Sequence, residues 1–226
     1  MNKCRMRTIV LVLKNSIDFG IRDVQLIAHH IHAKWKSKTP PRIICLWDKA
    51  SKTYDLGHVQ IIPLDPQYWG IIGTWTRMQL YSPKMEQYKP FLYVDLDTAV
   101  IQSLENIFDL IQDESKFITL EDFSQRDQLA TGLVWFPKDC AKTQKVWGAW
   151  SSPTSRRMDY FIRKICQPDL FWQKLTNTIK DFKPLFPVKS FLTELPVETN
   201  VVCFHGKPRI FDAVNIDWVN KYVNYE

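Results

Sequence analysis

Six consecutive residues, Thr8–Leu13 (TIVLVL), are apolar or β-branched without interruption. A strand with one wet face alternates polar and apolar positions. A run with no polar position is buried on both faces, as in a parallel sheet covered by helices. The segment 23–35 follows with apolar residues at Val24, Ile27, Ala28, Ile31 and Ala33, a helical recurrence. Arg42–Trp47 (RIICLW) and Val59–Pro63 (VQIIP) then read as strands. This order predicts an α/β fold with a Rossmann-like, nucleotide-binding half, its central sheet mixed but mostly parallel and flanked by helices.

The remaining pattern is shorter in period. Helices are expected at 77–88 (broken early by Pro83), 104–111, 140–150, 159–164 and 169–176, and strands at Phe91–Val94, 117–120, 132–136 and 201–204. With 226 residues, 45% of them hydrophobic, the chain can bury one good core, and 1–226 reads as one domain. The formal charge is +6, spread over positions such as Lys34, Lys36, Lys38, Arg163 and Lys164 with no polybasic block. That scatter argues against a nucleic-acid partner and leaves open a peripheral contact with an anionic membrane. The apolar run at the N-terminus ends at Lys14, too short for a signal peptide, and no stretch approaches membrane-spanning length. Cys4, Cys45, Cys140, Cys166 and Cys203 are odd in number and lack CxxC spacing, which suits reduced thiols. A cytoplasmic location is expected.

Chemistry concentrates after Phe91–Val94 (FLYV), which runs into Asp95-Leu96-Asp97. Residues two apart on a strand share a side, so Asp95 and Asp97 should leave its carboxyl end together, where open α/β sheets bind ligands. Two carboxylates so close repel unless a cation lies between them, and their hard oxygens favour Mn²⁺ or Mg²⁺. The same letters also begin haloacid-dehalogenase-type phosphatases. Ala99 stands where that pattern wants Thr or Val, and this strand lies well inside the chain.

The motif order resembles glycosyltransferases of the GT-A fold, in particular the glycogenin and lipopolysaccharide galactosyltransferase group and its small bacterial and viral relatives. The residues carrying the resemblance are LYVDLDTAV at 92–100, Trp75-Thr76-Arg77 upstream, and VVCFHGKPR at 201–209. It implies transfer of a sugar from a nucleotide-diphosphate donor, a UDP-hexose, to a glycan, lipid-linked or protein acceptor. Asp95, Asp97 and His205 would hold Mn²⁺ (or Mg²⁺). Lys14, Arg77, Asp95, Leu96, Lys207 and Arg209 would contact the nucleotide. The family's metal-binding histidine falls at Cys203 in this sequence, but His205 shares that side if the strand continues, and a hard cation prefers imidazole. Ala130-Thr131-Gly132 corresponds to the family's sugar-binding Asn-x-Gly, and Asp169-Leu170 to its Asp-Gln pair. Asp122 and Asp169 are the candidate catalytic carboxylates, one acting as general base if the enzyme inverts. Trp69 and Trp75 are candidates for the site wall. A sugar-nucleotide pyrophosphorylase is disfavoured, since no glycine-rich phosphate loop follows Leu13. A non-catalytic sugar-binding module would need no metal ligands.

Overall fold

Parallel pairing is what the unbroken apolar runs require, and it is found in the computed structural model, which describes residues 6–14, 16, 18–68, 71, 73–153, 158–183 and 191–225. The strands in chain order are β1 (Thr8–Leu13), β2 (Arg42–Trp47), β3 (Tyr54–Leu56), β4 (Val59–Pro63), β5 (Phe91–Val94), β6 (Thr98–Val100), β7 (Ile118–Asp122), β8 (Gln125–Phe136), β9 (Leu170–Phe171), β10 (Ile179–Asp181) and β11 (Val201–Cys203). The α-helices are α1 (Ile21–Lys34), α2 (Glu105–Phe108), α3 (Ala141–Ala149), α4 (Met158–Ile165), α5 (Trp172–Leu175) and α6 (Asp217–Val223).

An eight-stranded sheet runs β3-β4-β2-β1-β5-β8-β7-β9. β1 pairs in parallel with β2 and β5, and β2 with β4, whereas β8 is antiparallel to both β5 and β7. Every residue of β1 is buried. Ile9, Leu11 and Leu13 meet Val24, Ile27 and Ile31 of α1 on one face. Val10 and Val12 meet Met78, Tyr81, Val146 and Ile162 on the other. The two-residue period of a strand thus divides one apolar run between two core layers.

The chain builds outward from β1 through β2 and β4, then returns to lay β5 against β1's other edge. A crevice forms at such a reversal, because the connections leaving the two carboxyl ends diverge. A smaller sheet, β10-β11-β6, lies beyond it. The link from β5 to β6 is Asp95-Leu96-Asp97 itself.

Several expectations change. Residues 77–88 form two 3-10 segments, Gly73–Tyr81 and Pro83–Tyr88, because Pro83 has no N–H to continue a helix. Residues 169–176 split: Leu170–Phe171 pairs with β7, and only Trp172–Leu175 is helical. Trp172 is fully buried, its indole N–H donating to the Leu133 carbonyl (3.1 Å). Among the described residues, no helix is long and apolar enough to cross a membrane.

Candidate functional site

Val94 is the last residue of β5, and the chain then turns rather than extending. The Thr98 amide donates to the Asp95 carbonyl (3.1 Å), closing a turn over the acidic tripeptide. Asp95 and Asp97 therefore do not share a strand face, as the alternation argument supposes. The turn nonetheless delivers both carboxylates, with Leu96, to one cleft of about 530 Å³ at the carboxyl ends of β1 and β5.

The register of the small sheet fixes what faces them. β6 runs antiparallel to β11 with Thr98 opposite Cys203, and the Phe204 amide donates to the Asp97 carbonyl (2.9 Å). Strand geometry stops there. His205 has φ 46° and Gly206 φ 83°, left-handed values that glycine adopts without strain. The chain curls back so that the Gly206 amide (3.4 Å) and Arg209 Nη1 (2.6 Å) both donate to Asp97 Oδ2. Lys183 pins this curl by donating to the carbonyls of His205 (2.8 Å) and Lys207 (2.6 Å).

Asp95 is held from the other side. Arg77 Nη1 donates to its Oδ2 (2.7 Å), while Tyr93 Oη and the Leu96 amide donate to its Oδ1 (both 3.0 Å). Arg77 also reaches the carbonyls of Thr74 (3.3 Å) and Thr131 (3.4 Å). Burial opposes its charge, but Asp95 and Tyr93 outweigh that and keep it protonated. Burial first, and the neighbouring Asp95 second, push the Asp97 carboxyl above the usual carboxylate range, with His205, Arg209 and Arg77 pulling it down.

The expected residues distribute as follows. Lys14, Arg77, Asp95, Leu96, Asp97, Ala130, Thr131, Gly132, His205 and Arg209 all line the cleft. Lys14 Nζ pairs with Asp48 (2.9 Å), and Lys207 lies beside the cleft with its amine 3.4 Å from Asp18. Cys203 is buried in the core, its thiol pushed well up by burial, so it offers no ligand. His205 is exposed at the rim, its ring against Phe123 (5.0 Å between centroids). Trp75 is buried against Phe161 and is a core residue, not a wall of the site. Trp69 lies outside the described residues.

Two candidates are corrected. Asp169 sits at the amino end of β7, where it accepts from the Phe117 amide (2.8 Å) and pairs with Lys142 (2.6 Å), at the opposite end of the strands from the cleft. Asp122 is at the proper end of β7 but does not line the cleft. Its carboxylate closes a turn onto Ser124 and pairs with Arg163 (2.6 Å). Burial works against the Asp122 anion, yet those partners hold its pKa below the ordinary value, which makes it a weak base. A further carboxylate that lines the cleft is Asp159, in the first turn of α4, bonded to the Thr131 hydroxyl. Asp18 and Phe19, from the loop after β1, join it. None of the three stands in a sequence pattern that separates it from an ordinary helix-start or loop residue.

Among the described residues, no three His, Cys, Asp or Glu side chains converge as ligands of one ion. Asp95, Asp97 and His205 share the cleft without forming the expected triad, because each carboxylate is drawn to an arginine. The donors still suit a hard divalent cation in kind, and the charges favour one. The lining residues include four carboxylates (Asp18, Asp95, Asp97, Asp159) against three cations (Lys14, Arg77, Arg209). A diphosphate enters such a cleft favourably only with additional positive charge.

No family model matches the sequence, and no curated protein matches it. Solved structures do match the fold. The bifunctional glycosyltransferase WbbM superposes with a TM-score of 0.66 at 10% identity, over 100% of this chain and 53% of its own. The galactosyltransferase LgtC, solved with donor and acceptor sugar analogues, gives 0.63 at 14% identity over 96% and 94%. GlyE of Streptococcus pneumoniae TIGR4 gives 0.57 at 14% identity over 97% and 60%. The chain thus spans about half of WbbM and nearly all of LgtC. The architecture is the GT-A glycosyltransferase fold.

Proposed function

We propose that the protein is a glycosyltransferase that moves a hexose from a nucleoside-diphosphate donor, UDP-hexose in the first instance, to a hydroxyl of a glycan, lipid-linked or protein acceptor. The observation that carries this reading is the cleft at the β1/β5 switch point, where Asp95 and Asp97 face a turn bearing His205 and Arg209.

A divalent cation, Mn²⁺ or Mg²⁺, held by Asp95, Asp97 and His205, would neutralise charge on the departing diphosphate. The chain's own groups do the rest. Arg77, locked between Asp95 and two carbonyls, holds the first carboxylate in a fixed orientation. Arg209 and Lys207 bring positive charge to the phosphate side of the cleft, and Lys14 does so from the end of β1. Asp159, opposite the acidic pair on α4, is the carboxylate in position to take hydrogen bonds from the sugar or acceptor hydroxyls. Phosphatase chemistry at Asp95 has less support, since Ala99 stands where that pattern wants Thr or Val and the strand lies well inside the chain. Cys45, Cys140, Cys166 and Cys203 are free, which fits a cytoplasmic setting.

The test is UDP release from UDP-glucose and UDP-galactose with Mn²⁺, comparing the parent with Asp97→Asn. The parent should turn over at least one donor, and the variant should lose about 10²-fold or more. Equal rates in the two proteins, or vigorous phosphate release from p-nitrophenyl phosphate instead, would remove the proposal.

A further inference from the structure

The two arginines that hold the acidic pair are built differently. Arg77 is 7% exposed, and besides its ion pair it donates to two backbone carbonyls. It is a fixed part of the floor. Arg209 has one side-chain partner given to it by the fold, Asp97 Oδ2 at 2.6 Å. Its Nε is buried and has no hydrogen-bond partner among the described residues. A buried donor left unused carries a free-energy cost that a passing acceptor would relieve. The guanidinium carbon lies 4.5 Å from the centroid of the Phe19 ring, and both residues line the cleft. A planar cation stacked on a ring face can shift across it and keep much of that contact.

The carboxylate Arg209 occupies is also the one a divalent cation would need. The neighbouring positive charges do not relax this conflict. Lys14 is paired with Asp48, Lys207 reaches Asp18, and Arg77 is committed to Asp95. Arg209 is the cation seated on Asp97 itself, and its unused Nε leaves donor capacity over.

We propose that Arg209 is an exchangeable counter-ion of Asp97: a divalent cation competes with the guanidinium for this carboxylate, and the displaced guanidinium is taken up by the diphosphate of the donor. The inference rests on the transferase reading and adds to it a coupling between the two ligands. Metal alone must displace a cation that then has no anion. Nucleotide alone meets an arginine already engaged. Together each supplies what the other's binding requires, so their affinities reinforce one another.

Calorimetric titration of the full chain with Mn²⁺ alone, and then with UDP at saturating Mn²⁺, tests the exchange. The variants are Arg209→Met, which keeps an unbranched side chain and removes the competing charge, and Arg209→Lys, which keeps a charge with a poorer fit to the carboxylate. Arg209→Met should bind Mn²⁺ alone roughly tenfold tighter than the parent and bind UDP roughly tenfold more weakly. Arg209→Lys should fall between on both axes. It also carries the comparison if the methionine variant fails to unfold cooperatively. Opposite movement of the two affinities is a signature that mere loss of structure would not give, since misfolding weakens both. If neither variant binds Mn²⁺ more tightly than the parent, the exchange is overturned, even where UDP binding confirms the transferase reading. If the parent binds no UDP under any condition, the transferase reading fails, and with it the nucleotide half of the exchange.

Discussion

Arg77 reaches Asp95 with one arm of its guanidinium and the Thr131 carbonyl with the same nitrogen, while Nε holds Thr74. A lysine ammonium has no fork to span these acceptors. Arg77→Lys should therefore retain the charge but release at least one hydrogen bond to a buried group, at about 1.5–3 kcal/mol. Denaturant unfolding would show the loss, and turnover should fall with it as Asp95 loosens. Asp159 and Asp169 separate in the same way. Asp159→Asn should depress transfer while leaving stability close to the parent's. Asp169→Asn breaks the links to Lys142 and the Phe117 amide at the far end of the strands, so it should cost about 1–2 kcal/mol of stability and leave the transfer rate alone. Parallel activity and melting measurements on both variants check this. A rate loss confined to Asp169→Asn would reverse the assignment.

At the level of elements, one clamp makes a pH prediction. His30 on α1 donates from Nε2 to the Tyr222 carbonyl of α6 (2.6 Å), and its Nδ1 accepts from Lys34 Nζ (2.8 Å), so the ring is held neutral. Burial chiefly, then the Lys34 charge, lower its pKa from 6.5 to about 4. The unfolded chain thus takes up the proton first. This contribution to stability is complete above about pH 6.5 and declines as the pH falls toward 4, by up to about 3 kcal/mol. Denaturant unfolding across that window should show the slope, and His30→Gln should flatten it. Legibility in sequence also divides by element. β1, β2 and β5 are legible because strands buried on both faces leave nearly unbroken apolar runs. β6 and β10 are three residues each and owe their pairing to β11, so nothing local announces them. The same applies to the site. The acidic tripeptide and the His-Gly turn are visible as letters, but Arg209 on Asp97 follows from the β6–β11 register. Asp159 enters the cleft only because α4 packs beside β8. Asp169, the candidate that the sequence puts forward, lies at the other end of the strands.

Across the whole molecule, the arrangement follows from one topological fact. β5 returns to the edge of β1 opposite β2, and the link from β5 crosses to a second sheet whose central strand, β11, leads into the basic turn. That crossing places negative charge, positive charge and an imidazole around one crevice without a glycine-rich phosphate loop, which a chain with seven glycines does not supply. The overall fold is shared with LgtC and WbbM at only 14% and 10% identity. The most direct test of the account is thermal unfolding of the chain with UDP and Mn²⁺ together, against each alone. Together, at a hundredfold excess over Kd, they should stabilise the fold by about 2.7 kcal/mol, with far smaller effects singly. An unfolding temperature unmoved by the pair would contradict the claim that this crevice receives a metal-bound nucleoside diphosphate.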